Sequence, residues 1–135
     1  HEDICVFYNK LPTYNPQMMQ GKPHSRGGTG RQSKNYGSYV YTKRIISNTY
    51  FPRDVLKVNW QDSMRGLHPT QKPVSLCEYF IKTYSNKGDI ILDPFIGSGT
   101  TAVAAVNTER KYIGFEQDDE YFEVAKNRLE KLTNI

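Results

Sequence analysis

Cysteine is almost missing from this 135-residue chain. Cys5 and Cys77 are its only two. Their separation matches no metal-ligand spacing, so neither a zinc module nor a disulfide scaffold is expected, and no metal. Nothing at the start of the sequence resembles a signal peptide, and both cysteines are expected to be reduced thiols of a cytoplasmic protein. Nowhere does an apolar run approach the roughly 18–20 residues of a membrane span. Acids are scarce in the first half. Residues 1–73 hold eleven Lys and Arg against four Asp and Glu, and residues 74–135 hold seven against ten. The net charge of +4 hides this asymmetry, and a polyanion is the natural partner of the basic half. The chain begins with His1 and not with methionine, and the expectation is a piece of a longer protein.

What is present suits a folded domain, or part of one. A chain this long can bury roughly two thirds of its unfolded surface, and ten tyrosines argue against disorder throughout. "HEDICVFYNK" alternates loosely around Ile4, Val6 and Tyr8 and predicts a buried strand. "LPTYNPQMMQGKP" reads as a connector. Residues 21–38 carry five glycines and almost nothing apolar, which predicts a long mobile loop. "YVYTKRII" is a candidate strand, and "TYFPRDVLKVNW" is extended and broken at Pro52.

After Pro73 the texture changes. "VSLCEYFIKTYS" sets Val74, Cys77, Ile81 and Tyr84 at helical spacing, with Pro73 expected at the first helical position. "NKGD" is a turn, "IILD" a short buried strand, "GTTAVAAVNT" a small-residue helix and "KYIGFE" a second strand. "DDEYFEVAKNRLEKL" is a helix with Phe122, Ala125, Leu129 and Leu132 on one face and Tyr121 at its edge. Asp118, Asp119 and Glu120 in its first turn, and Arg128 and Lys131 near its end, suit the helix dipole. The order helix–strand–helix–strand–helix predicts half of an open α/β sheet with parallel strands. Ligands of such sheets sit outside the carboxyl ends of the strands, here Asp93 and Glu116.

Gly97-Ser98-Gly99-Thr100-Thr101-Ala102 follows a strand and opens a helix. Thr100 stands where a P-loop needs lysine, which rejects that reading. Glu116, about twenty residues on, suits a ribose-binding acid. A dinucleotide fingerprint would put its first glycine almost at the strand end, whereas Asp93-Pro94-Phe95-Ile96 intervenes here. Asp93 would repel a pyrophosphate but suits an ammonium. Phe95 offers an apolar face to a base or a thioether. Lys72, just before a helix start, makes an anion site about one carboxylate in size. An amino acid joined to a nucleoside satisfies all three sites, and S-adenosylmethionine is that molecule.

"HPTQKP" (68–73), "DPFIGSGTT" (93–101) and "YIGFEQD" (112–118) resemble three motifs of bacterial and phage DNA amino-methyltransferases, which methylate adenine N6 or cytosine N4. Their order resembles the class whose catalytic motif and recognition region come first. "HEDICVFY" and "LPTYNPQM" also look like that class. The resemblance is strong over 68–129, moderate over 1–20, and only positional over 21–67. It implies a partial Rossmann-like, S-adenosylmethionine-dependent methyltransferase sheet with an irregular basic insert. Residues 1–20 would be a strand and connector of the catalytic domain, 21–67 the target-recognition insert, and 68–135 the cofactor-binding half. Asp93, Phe95, Gly97, Ser98, Gly99 and Thr100 would line the methionine part of the cofactor. His68, Thr70 and Lys72 would close it, Glu116 would take the ribose hydroxyls, and Gln117 would reach the adenine. Arg26, Arg31, Lys34, Tyr36, Tyr39, Lys43 and Arg44 would contact double-stranded DNA.

One departure is large. The family's catalytic motif is Asp, Asn or Ser, then Pro-Pro, then an aromatic, and this chain has no Pro-Pro. Asn15-Pro16-Gln17-Met18 is a poor imitation. No catalytic residue is therefore expected on the chain. The motif would come from a missing N-terminal part or from a partner chain, and the chain alone would be inactive. Three other readings stay open at this point: a catalytically dead DNA-binding remnant or split subunit, a nicotinamide-dependent oxidoreductase, and a methyltransferase acting on RNA or protein. Adenine is the expected target on prior frequency alone, in a restriction-modification setting. A homodimer is left open.

Overall fold

A computed structural model describes residues 2–26, 45–59 and 71–133. The chain divides into two compact units, His1–Asn15 with Val55–Ile135, and Pro16–Asp54.

The smaller unit is an antiparallel ribbon of β1 (Met19–Arg26) and β2 (Ile45–Tyr50). Met19 faces Tyr50 and Arg26 faces Ile45, with a register shift between Gln20 and His24. The shift spans Gly21, Lys22 and Pro23, where a proline that cannot donate to the ladder is tolerated. The Tyr50 ring stacks on His24 with centroids 4.1 Å apart, and its hydroxyl donates to the Lys22 carbonyl at 2.8 Å. A Cβ on Gly21 would lie 2.6 Å from Tyr50 Cε2, so only glycine leaves room for the ring. The expected connector thus gives way to strand at Met19, and the expected loop is strand over residues 21–26. The rest of that loop, and residues 39–44 of the candidate strand, lie outside the described residues.

The larger unit contains α1 (Val74–Tyr84), β3 (Ile90–Asp93), α2 (Thr100–Asn107), β4 (Lys111–Gly114) and α3 (Asp119–Thr133). The mixed α/β order read from the sequence is the order found. β3 and β4 pair in parallel, Ile90 opposite Lys111 and Asp93 opposite Gly114. α2 packs against α1, α3 and both strands. Its small side chains make that possible, because Ala102, Ala104 and Ala105 are fully buried. Ile81 of α1 joins Ala104 and Ala105 in the core, with Val74, Cys77 and Ile91 packed against them. Arg110 ties the end of α1 to the start of β4 through Ser85, with Nε to Oγ at 3.1 Å and Nη2 to the carbonyl at 2.8 Å.

Several expectations need correcting. Residues 2–8 form no strand, and Ile4, Val6 and Tyr8 are exposed; alternation alone makes no strand where no ladder partner is paired with it. Pro73 is the N-cap of α1 and not its first helical residue. β3 is buried on one face only: Ile91 packs on the core, whereas Ile90 and Leu92 are about 60% exposed. On α3, Ala125 is buried and Leu129 and Leu132 are half-buried, as expected, but Phe122 is exposed, and Tyr121 and Arg128 share the inward side instead. Asp118 lies before this helix and caps it, accepting from the N–H groups of Glu120 and Tyr121 at 2.9 and 3.1 Å. Asn15 bonds α1's C-terminal end, its amide donating to the Ser85 carbonyl at 3.0 Å. Among the described residues no helix is long and apolar enough to cross a membrane.

Candidate functional site: a polar cavity at the strand ends

Beyond β3 and β4 the two strand-end loops stay laced together. Phe115 N–H donates to the Asp93 carbonyl at 3.0 Å, and Ile96 N–H to the Phe115 carbonyl at 2.9 Å. The glycine turn then reverses the chain into α2. Gly97 and Gly99 have φ of 52° and 83°, backbone that L side chains rarely adopt. Gly99 is also close-packed, since a Cβ there would meet Ala125 Cβ at 3.0 Å. No side chain caps α2's start, so its first N–H groups gain no acceptor from that source.

A cavity of about 530 Å³ opens over this turn. Of the residues named from the sequence, Lys72, Asp93, Phe95, Gly97, Ser98, Thr100, Glu116 and Gln117 line it. Gly99 does not; it is the left-handed N-cap of α2 that shapes the wall. His68 and Thr70 lie outside the described residues. Of the DNA-contact candidates, Arg26 ends β1, and Arg31, Lys34, Tyr36, Tyr39, Lys43 and Arg44 lie outside the described residues.

The side chains that shape the site fall into two groups. Glu116 braces the turn from below. Its Oε2 accepts from Gly97 N–H at 2.7 Å, and its Oε1 from the N–H groups of Gln117 and Asp118 at 2.8 and 3.0 Å. Arg128 reaches back from α3, donating from Nη1 to the Ser98 carbonyl and to Thr100 Oγ1, each at 3.2 Å. Desolvation lowers its pKa, yet guanidinium stays charged in proteins. The sequence reading assigned Arg128 to the helix dipole, whereas it fastens α3 to the glycine turn. The other group faces the cavity. Asp93 Oδ1 accepts from Phe95 N–H at 3.0 Å, while the Phe95 ring is 87% exposed at the rim. Lys72 pairs with Glu2 at 2.7 Å, both largely solvated, and Lys72 holds the Glu2 carboxyl below its ordinary pKa. A pair this exposed is weak and screened.

Gln71 was missed, although it sits inside HPTQKP. It is 7% exposed and lines the cavity. Its Oε1 accepts from Ser98 Oγ at 3.1 Å, and its Nε2 is buried without a partner. Cys77 also lines the wall. Burial pushes its thiol pKa up, against a hydrogen bond with Thr101 that lowers it, and a raised pKa disfavours the thiolate.

Comparison with known proteins agrees with this geometry. The N6/N4 family model described as DNA methylase matches residues 1–127. The type II methyltransferase M2.LlaDCHI of Lactococcus lactis subsp. cremoris is 50% identical over 108 residues, which are 75% of this chain and 38% of the relative. The DNA adenine methyltransferase YhdJ of Escherichia coli (strain K12) is 49% identical over 63 residues, 47% of this chain and 21% of the relative. The solved M1.HpyAVI–SAM complex is 46% identical, with a TM-score of 0.50, over 53% of this chain and 36% of that one. The chain thus spans well under half the length of these relatives. With the match running through the ribbon, both strands and the glycine turn, the chain belongs to the N6/N4 DNA methylase family.

Proposed function

We propose that the cavity seats S-adenosylmethionine, and that this chain is the donor-binding and DNA-reading part of an enzyme that methylates adenine N6 in double-stranded DNA. One observation carries the reading. Two carboxylates, a lysine, a buried amide and an exposed aromatic ring converge on one cavity of small-molecule size. The donor set fits a zwitterion attached to a nucleoside. Asp93 suits the ammonium, Lys72 the carboxylate and Phe95 the thioether or base. A ribose hydroxyl reaching Glu116 would share the carboxylate with the turn's own N–H groups. The close contacts at Gly99 support the same reading, because a side chain there would push the turn out of shape.

When bound, S-adenosylmethionine supplies an electrophilic methyl group for in-line displacement. The chain's part is positioning: it holds the donor's polar groups and fixes the turn, so that amine, methyl and sulfur can be aligned. The target base must leave the duplex stack to be reached. Residues 20–57 carry Lys22, Arg26, Arg31, Lys34, Lys43, Arg44, Arg53 and Lys57 against Asp54 alone, with tyrosines interleaved. Such a segment suits phosphate contacts and base-edge readout. The name of YhdJ supports adenine as the target.

A Pro-Pro clamp for the flipped base would come from outside this chain. The open face of the sheet supports that. Ile90, Leu92 and Ile113 are 61%, 62% and 48% exposed, whereas parallel sheets are covered on both faces. The same features would suit a remnant that binds but does not catalyse. Methyl transfer to duplex DNA distinguishes the readings. The chain alone should be inactive, and adding a segment that carries the Pro-Pro motif should restore transfer to adenine. Robust transfer by the chain alone, or none from the complemented pair, would overturn the proposal.

A further inference from the structure

We propose that Gln71 reads the carboxylate of the bound donor: its Nε2 donates to that group while its Oε1 stays on Ser98 Oγ. The inference rests on S-adenosylmethionine being the ligand of this cavity. It starts from an unsatisfied group. A buried amide N–H left without an acceptor is costly, and native structures rarely keep one without a reason. Gln71 is 7% exposed, lines the cavity and keeps Nε2 unpaired. Its acceptor is already committed, at 3.1 Å from Ser98 Oγ, so the side chain offers the cavity a donor. That donor adjoins Lys72 in the chain, whose ammonium is a second donor with no acceptor capacity. Two donors from one short stretch call for an anion between them, and the α-carboxylate is the only anionic group of the ligand.

The bond to Ser98 sharpens the geometry. Ser98 belongs to the glycine turn, and its carbonyl is held by Arg128. The carboxamide is therefore anchored on one side by a turn that is itself fastened to α3, and it presents Nε2 in a fixed direction. Gln71 also differs from Lys72 in burial. A solvated lysine paired with Glu2 attracts an anion loosely, whereas a buried neutral donor has direction and discriminates by shape.

The test uses two ligands and two variants. S-adenosylmethionine carries the carboxylate; 5′-methylthioadenosine keeps the adenosine and the thioether but lacks the amino-acid part. Dissociation constants of both are read by ligand-observed NMR titration of the full chain. Gln71→Glu keeps an acceptor for Ser98 Oγ and turns the donor into a negative oxygen. It should weaken S-adenosylmethionine roughly tenfold or more and leave methylthioadenosine unchanged. Gln71→Met removes the donor without adding charge, and should show a smaller loss confined to S-adenosylmethionine. Retained methylthioadenosine binding shows that the variants are folded. Equal weakening of both ligands would mean that Gln71 only braces the turn, and would overturn the inference. So would an unchanged or tighter S-adenosylmethionine constant in Gln71→Glu. Failure of the wild-type chain to bind either ligand would instead overturn the reading of the cavity itself.

Discussion

Glu116 holds the glycine turn, and under the proposed function it would serve the ligand as well. Its two oxygens accept three backbone N–H groups, one from the glycine turn and two from its own loop. Charge-assisted bonds of this kind are shorter and stronger than neutral ones. Glu116→Gln removes the charge and replaces one acceptor by a donor, which must then face an N–H. The variant should bind S-adenosylmethionine at least roughly tenfold more weakly, and methylthioadenosine with it, because the ribose belongs to both ligands. A loss confined to S-adenosylmethionine would move Glu116 away from the ribose. Arg128 works from the opposite side, since its bonds to Ser98 and Thr100 place α3 and the turn in one unit.

At the scale of elements, the fit of α2 decides whether the cavity has a floor. Thr100–Asn107 carries almost no bulk, so α1, α3 and both strands can approach it closely. Gly99 ends the turn at φ 83° against Ala125. Gly99→Ala should therefore cost about 1–3 kcal/mol from backbone strain, with contact against Ala125 added. Thermal unfolding of the variant beside wild type reads this directly, and an unchanged midpoint would mean that the turn relaxes freely.

The same scale shows what the sequence made legible. Helical spacing at Val74, Cys77 and Ile81, a small-residue run at 100–107, and an acid-to-base charge order at 118–131 were local signals, and each became a helix. The cavity residues were legible because strand-end acids and glycines act through backbone geometry. Burial was less legible. "HEDICVFY" had the composition of a strand, but a strand exists only with a partner, which composition does not name. Ile90 and Leu92 read as buried because a parallel strand is normally covered on both faces. Pro23 hid β1, because the bulge that accommodates it depends on pairing with β2. Arg128 and Gln71 act on Ser98 from 30 and 27 residues away in sequence, distances at which periodicity carries no information.

At the scale of the whole molecule, the charge asymmetry matches the proposed division between a DNA-facing half and a cofactor-holding half. The basic half suits a phosphate backbone, and the acidic half holds the strand-end carboxylates. Duplex DNA binding should fall steeply as salt rises, because each neutralised phosphate releases counterions. Affinity that stayed flat between low and moderate salt would contradict the assignment of residues 20–57 to DNA. The cavity's ligand decides everything else. The most direct measurement is a titration of the chain with S-adenosylmethionine and, in parallel, with a nicotinamide dinucleotide. S-adenosylmethionine should bind saturably and the dinucleotide, whose pyrophosphate would meet Asp93, should not bind. Preference for the dinucleotide would contradict S-adenosylmethionine as the ligand.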